Sequence, residues 1–199
     1  QRPIGNPPED TPWITDLQIA DLDGDGLKDI LVCDAKRNRV CWIRQVRRGV
    51  FEEQDIGEPI AGPAHVEVAD LNGDGHTDIL VASMGRIMPS NDKIGAVVVL
   101  VNDGKNRFTN RVLLDKATRV TYVAAADFNR DGLPDLIVGQ FGYVEGEIRW
   151  MENLGDWQFK SHPLLDLSGT IQSPAADMNG DGLFDVVGLV SQDSEEVHL

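Results

Sequence analysis

The strongest constraint in this sequence is an acidic block that recurs four times and aligns without a gap. The copies are Ala20-Asp-Leu-Asp-Gly-Asp-Gly-Leu-Lys-Asp-Ile-Leu-Val32, Ala69-Asp-Leu-Asn-Gly-Asp-Gly-His-Thr-Asp-Ile-Leu-Val81, Ala126-Asp-Phe-Asn-Arg-Asp-Gly-Leu-Pro-Asp-Leu-Ile-Val138 and Ala176-Asp-Met-Asn-Gly-Asp-Gly-Leu-Phe-Asp-Val-Val-Gly188. Their first aspartates are 49, 57 and 50 residues apart. The likeness continues beyond the loop. Val40-Cys-Trp-Ile-Arg-Gln45, Val97-Val-Val-Leu-Val-Asn102 and Ile148-Arg-Trp-Met-Glu-Asn153 align, and a phenylalanine (Phe51, Phe108, Phe159) follows each six residues later. Self-similarity at this period marks a repeat architecture in which each unit packs on its neighbours.

Each unit reads as strand a, acidic loop, strand b, variable loop, strand c, tight turn, strand d. The strands are short β-rich runs bounded by turn residues. Asn102-Asp-Gly104 and Asn153-Leu-Gly155 are hairpin signals, and no segment keeps a helical period. The expected fold is all-β: a β-propeller of four-stranded antiparallel blades. A solenoid is the rival, but its units are usually shorter. After a lead-in over residues 1–12, the blades span about 13–60, 61–117, 118–168 and 169–199. The last unit stops where strand c is half built, at Val197-His-Leu199, and the Pro-rich start does not resemble a missing strand d. The expectation is therefore four blades of a longer propeller of six to eight, with open edges that favour self-association.

The loop pattern places oxygen side chains at positions 1, 3, 5 and 9. These are Asp21, Asp23, Asp25 and Asp29; Asp70, Asn72, Asp74 and Asp78; Asp127, Asn129, Asp131 and Asp135; Asp177, Asn179, Asp181 and Asp185. Alternate residues of a tight loop turn to one side, and the glycine at position 6 allows the sharp bend that returns position 9. Position 7 (Leu27, His76, Leu133, Leu183) varies, as expected if only its carbonyl is used. This set of hard oxygens predicts about four Ca²⁺ sites. Two carboxylates about 4 Å apart repel by roughly 4 kcal/mol at an effective dielectric of about 20, so a cation is required to offset the clustering. An EF-hand is excluded: position 12 is Val32, Val81, Val138 or Gly188 rather than Glu, and no helices flank the loop.

The net charge is −15, and 13 of the 33 acidic residues lie in these loops. Nucleic acid and anionic membrane are poor partners for such a chain, and no apolar run nears the roughly 20 residues that span a bilayer. Phosphate loops, nucleophile elbows, zinc patterns and dinucleotide fingerprints are missing.

The units resemble the FG-GAP/VCBS repeats of the integrin α-subunit N-terminal propeller and its bacterial relatives, over nearly all of residues 13–199. Gly139-Gln-Phe-Gly-Tyr-Val-Glu-Gly146 carries a recognisable FG element, which the other repeats lack. The resemblance implies calcium loops between the first two strands of each blade, with ligands taken on the opposite face. It implies a secreted, periplasmic or cell-surface module that binds a protein or carbohydrate. A carbohydrate-active enzyme of polysaccharide lyase or sugar dehydratase type is the alternative, and a structural spacer the third reading.

On the face away from the acidic loops, the positions five residues before each first aspartate are Asp16, His65, Tyr122 and Gln172, forming an inner ring. The second unit also carries an eight-residue excess within residues 82–95. Together these predict a candidate ligand site of His65, Arg86, Lys93, Arg119, Tyr122 and Tyr143, whose cations suit an acidic sugar or carboxylate. Lys36, Arg37, Arg39, Arg44, Arg47 and Arg48 form a basic patch, read as an edge that balances nearby aspartates. Trp42 and Trp150 read as blade core. Cys33 and Cys41 could bridge a hairpin or stay as buried thiols.

Overall fold

The computed structural model describes residues 11–88, 90–192 and 195–199; nearly all of the lead-in lies outside them. The first unit is an antiparallel sheet of β1 (Ile14–Ala20), β2 (Asp29–Asp34), β3 (Arg39–Arg47) and β4 (Val50–Ile56), in that order. The second repeats it with β5 (Pro63–Ala69), β6 (Asp78–Ser83), β7 (Gly95–Asn102) and β8 (Phe108–Ala117). The third repeats it with β9 (Val120–Ala126), β10 (Asp135–Gln140), β11 (Glu147–Asn153) and β12 (Phe159–Leu165). These are blades of a β-propeller, as the repeat arithmetic predicts. Among the described residues no helix is long and apolar enough to cross a membrane.

Burial follows the layering. Strands β6 and β10 are buried on both faces, as expected for a sheet covered on each side by another. The outer strand β8 alternates partly buried and exposed positions. One apolar cluster joins blades one and two through Leu31, Cys33, Val40 and Trp42 against Val66, Ile79, Val81 and Leu100. A second joins blades two and three through Leu80, Ala82, Val97 and Val99 against Val123, Leu136, Val138 and Met151. Inner strands touch in succession, β1 on β5, β5 on β9, and β9 on β13 (Thr170–Gln172).

The outer face of blade one shows the same logic by contrast. Leu17 is 54% exposed, whereas its repeat equivalents Val66 and Val123 are 1% and 0% exposed. The sheet is the same; only the covering blade differs.

The fourth unit is divided. Strand a splits into β13 and β14 (Ala175–Ala176), and strand b into β15 (Asp185–Val186) and β16 (Gly188–Ser191), with β17 (Glu195–His198) pairing on β16. Pro174 stands where the other blades have Gln18, Glu67 and Ala124, and proline cannot donate to the ladder. Its carbonyl still receives the N–H of Val187 at 2.9 Å, so the strands stay side by side across the break.

In blade one Val32 pairs with Cys41 and Cys33 with Val40, so the two cysteines occupy opposite faces of the sheet. Both are buried free thiols, which resolves the pairing left open by the sequence. Trp42 is buried in the first core, while Trp150 stacks on His162 at the half-buried outer edge of blade three.

Candidate functional site

The four acidic loops share one hydrogen-bond pattern. The position 1 carboxylate accepts the N–H of the glycine at position 6: Asp21 from Gly26 at 2.9 Å, Asp70 from Gly75 at 2.8 Å, Asp127 from Gly132 at 2.9 Å and Asp177 from Gly182 at 2.8 Å. Position 3 accepts from the backbone of position 5, with Asp23, Asn72, Asn129 and Asn179 at 2.8–3.2 Å. Position 5 accepts from position 7, with Asp25, Asp74, Asp131 and Asp181 receiving the N–H of Leu27, His76, Leu133 and Leu183 at 2.7–2.8 Å. The position 6 glycines lie at φ of +81 to +89°, a conformation that costs an L side chain dearly.

Position 9 does more than the spacing implies. Asp78 Oδ2 receives the N–H of Leu71 at 3.2 Å and its Oδ1 that of Asn102 at 2.9 Å. Asp29 repeats this with Leu22 and Gln45, and Asp135 with Phe128 and Asn153; Asp185 receives Met178 at 3.0 Å. In the first three blades a buried aspartate thus staples its loop to the end of strand c. A Gln or Asn at or near the end of strand c completes the link. Gln45, Asn102 and Asn153 donate their side-chain amides to the carbonyls of Lys28, Thr77 and Pro134, and accept from Gly49, Gly104 and Gly155 in the next turn. Sequence reading missed this bridge, although the Gln or Asn at a fixed distance before each phenylalanine was its signal.

Electrostatics make the loops suited to a cation. Burial, together with the charges of Asp74 and Asp70, pushes the carboxyl of Asp78 up to about 6 against the pull of its two N–H donors. Burial also raises that of Asp135. In loop one, ligand oxygens of Asp21, Asp23 and Asp25 all lie within 4.8 Å of one another. Asp21 Oδ1 is buried there without a hydrogen-bond partner, so the donor set fits a hard divalent ion. In loops two and three the amide of Asn72 donates to Asp74 Oδ2 at 2.9 Å, and that of Asn129 to Asp131 Oδ2 at 2.8 Å. Arg130, in loop three, reaches the carbonyls of Asp181 and Gly182 in loop four at 3.0 and 3.2 Å.

At the other end of the blades, the six candidate ligand residues do not form one cluster: His65 meets Tyr122, Arg119 meets Tyr143, and Arg86 and Lys93 each face an acid outside the set. His65 stacks on Tyr122 with ring centroids 4.3 Å apart, and its Nδ1 lies 2.6 Å from Asp16 Oδ2. Burial works against charge on His65, but its contact with Asp16 and the nearby carboxylate of Glu67 outweigh it and hold its pKa at about 9. Burial and the nearby Glu67 and Asp16 push Tyr122 up to about 12. Neither is a free base at neutral pH. Gln172, the fourth ring position, is exposed. Strand a has a bulge or irregularity just before the ring position in all four blades, which re-aims these side chains.

Arg119 is buried, with its guanidinium 5.2 Å from the Phe141 ring and 5.5 Å from that of Tyr143. It donates to the carbonyl of Ile87 at 2.8 Å, tying the enlarged loop of blade two to the FG element of blade three. Arg86 faces Asp92 at 3.7 Å, and Lys93 meets Glu145 at 2.5 Å across the blades. A groove of about 460 Å³ runs between blades two and three, lined by Lys93, Lys116, Thr118, Gln140, Glu147, Arg149 and neighbouring acids. Only Lys93 of the six candidates lines it. The basic patch is an edge compensated by acids: Arg37 and Arg39 pair with Asp34, and Arg39 also with Glu53 and Asp55.

A family model described as FG-GAP-like repeat matches residues 10–81 and 87–138. No curated protein matches the chain. Among solved structures, a lectin from Agrocybe aegerita that recognises non-reducing terminal N-acetylglucosamine superposes with a TM-score of 0.58 at 21% identity. That match covers 94% of this chain and 53% of the lectin. The V. cholerae biofilm matrix protein Bap1 superposes with a TM-score of 0.50 at 20% identity, covering 86% of this chain and 23% of that protein. The chain thus spans about half of one and a quarter of the other, and at these identities the likeness is one of fold.

Proposed function

Because this chain belongs to the FG-GAP-like repeat family, we propose that it is a calcium-stabilised β-propeller module that binds a saccharide or a protein outside the cytoplasm. The observation that carries the reading is the acidic loop built four times with one hydrogen-bond pattern, with loop one gathering three carboxylates around a buried, unpartnered Asp21 oxygen. Asp21, Asp23, Asp25 and Asp29 would hold the ion in loop one, with the Leu27 carbonyl. Loops two to four would do so through Asp70, Asn72, Asp74, His76 and Asp78; Asp127, Asn129, Asp131, Leu133 and Asp135; and Asp177, Asn179, Asp181, Leu183 and Asp185. When bound, calcium neutralises the clustered carboxylates and lowers the free energy of the closed loop. Sites of modest affinity suit a compartment with millimolar calcium.

Recognition falls to the opposite face. The groove between blades two and three offers near-balanced charges, Lys93, Lys116 and Arg149 beside Asp115, Glu145, Glu147 and Asp166, that suit sugar hydroxyls or a polar peptide. One structural neighbour is a lectin and another a biofilm matrix protein, which supports a saccharide or protein ligand. Two measurements test the reading. Chelation should lower the melting temperature by about 5 °C or more, and calcium should restore it. Panels of immobilised glycans and matrix proteins should capture the calcium-loaded protein, and Lys116→Gln, at an exposed groove-lining position, should weaken the capture. Melting indifferent to both chelator and calcium would refute the calcium part; capture unaffected by groove variants would refute the groove.

A further inference from the structure

Loop one departs from the other three in two residues that belong together. Its position 3 is Asp23, where the others have Asn72, Asn129 and Asn179, and strand c beside it carries Arg44, where blades two and three have Val101 and Glu152. The extra negative charge and the arginine meet. Arg44 Nη2 lies 2.5 Å from Asp23 Oδ2 and 3.7 Å from Asp25 Oδ2. The Asp23 side chain is only 2% exposed beneath it. Trp42 holds the arginine from behind, with the guanidinium carbon 5.6 Å from the indole centroid.

A guanidinium in this position bridges two of the three carboxylates that a metal ion would use. It supplies one positive charge where calcium supplies two, and it is covalently tethered, so its local concentration is fixed. Loops two and three lack such a cation on strand c, and there an Asn–Asp hydrogen bond relieves the crowding instead. We infer that Arg44 is a tethered counter-ion that competes with calcium for loop one, making this the weak, exchangeable site of the four. This rests on the calcium reading of the loops. At low calcium the arginine closes the loop; at high calcium the ion displaces it from Asp23 and Asp25. Blade one thereby keeps its acidic loop ordered at calcium levels that leave the loop unloaded.

Calorimetric titration of the full chain with calcium tests this. Wild type should show one site weaker than the rest, and Asp21→Asn should remove that weak site alone. Arg44→Met, which keeps an apolar stem over Trp42 but no charge, should tighten the weak site by about tenfold or more and leave the others unchanged. An unchanged or weakened site in Arg44→Met overturns the inference while leaving the calcium reading intact, as does loss of a tight site in Asp21→Asn. Absence of calcium binding in every variant overturns both. Should Arg44→Met fold poorly, the Arg44 side-chain resonance of the wild-type protein answers the same question. It should shift only over the last part of a calcium titration; no shift at saturation overturns the inference.

Discussion

The two ends of the blades are built on different principles. At the acidic-loop end the blades repeat one another nearly bond for bond: position 1 to position 6, position 3 to 5, position 5 to 7, and in the first three blades a buried position 9 aspartate reaching strand c. At the opposite end no two blades agree. Blade one offers Asp16, blade two His65 and an enlarged loop, blade three Tyr122 and the caged Arg119. The repeated end is closed by one pattern within each blade, to which Arg130 and Asn153 add links to neighbouring loops, whereas the variable end is closed by different contacts between each pair of blades. The first arrangement supports folding and would suit a metal ion; the second leaves room for specificity on a rigid scaffold.

The sharpest way to break this comparison is to remove the staple. Asp78→Ala leaves the N–H groups of Leu71 and Asn102 without acceptors at buried positions. It should cost roughly 3–5 kcal/mol by urea unfolding. A loss under about 1 kcal/mol would mean that the staple is incidental.

At the variable end the largest single effect should come from Arg119→Ala, at about 2–3 kcal/mol, because it removes packing against Phe141 and Tyr143 and the bond to Ile87. Arg119→Lys should recover only part of it. Full recovery would mean that charge alone, and not the planar guanidinium between two rings, holds the loops together.

The inner ring sharpens the comparison through pH. The pKa of His65 is raised from 6.5 to about 9 in the folded protein. Protonated His65 therefore stabilises the fold fully below about pH 6.5, and this contribution is lost as pH rises through about 9. The loss should be on the order of 3 kcal/mol between pH 6.5 and 10, and His65→Gln should flatten that part of the profile. An identical profile in the variant would place the effect elsewhere. The smallest effect belongs to Lys93→Gln. It breaks an ion pair whose side chains are both well exposed, so stability should change by about 0.5 kcal/mol or less.

What the sequence discloses follows the same division. Blades, strand order and the tight acidic loop are legible because they arise from local spacing that the chain states four times, and in loop one that spacing gathers Asp21, Asp23 and Asp25. The bond from Asp29, Asp78 and Asp135 to the end of strand c is not legible, because a residue type that suits a metal ligand suits a backbone acceptor equally. Arg44 reads as part of a basic edge until strand c lies beside loop one. Arg119 reads as an open cation, and only the packing of two loops from different blades buries it between rings. Pro174 breaks both strands of an otherwise regular hairpin, a consequence visible only once its ladder partner is known. Cys33 and Cys41 needed the register, since one residue of slip would have placed them on the same face.

On the function proposed above, the repeated end is a set of metal sites on which the fold depends. Dialysis of the chain against chelator and then calcium, followed by elemental analysis and calorimetry, tests it most directly. The expected result is about four calcium ions per chain, one held more weakly than the rest, with a melting temperature that rises as the sites fill. A folded protein that retains no calcium and melts at the same temperature throughout would contradict it.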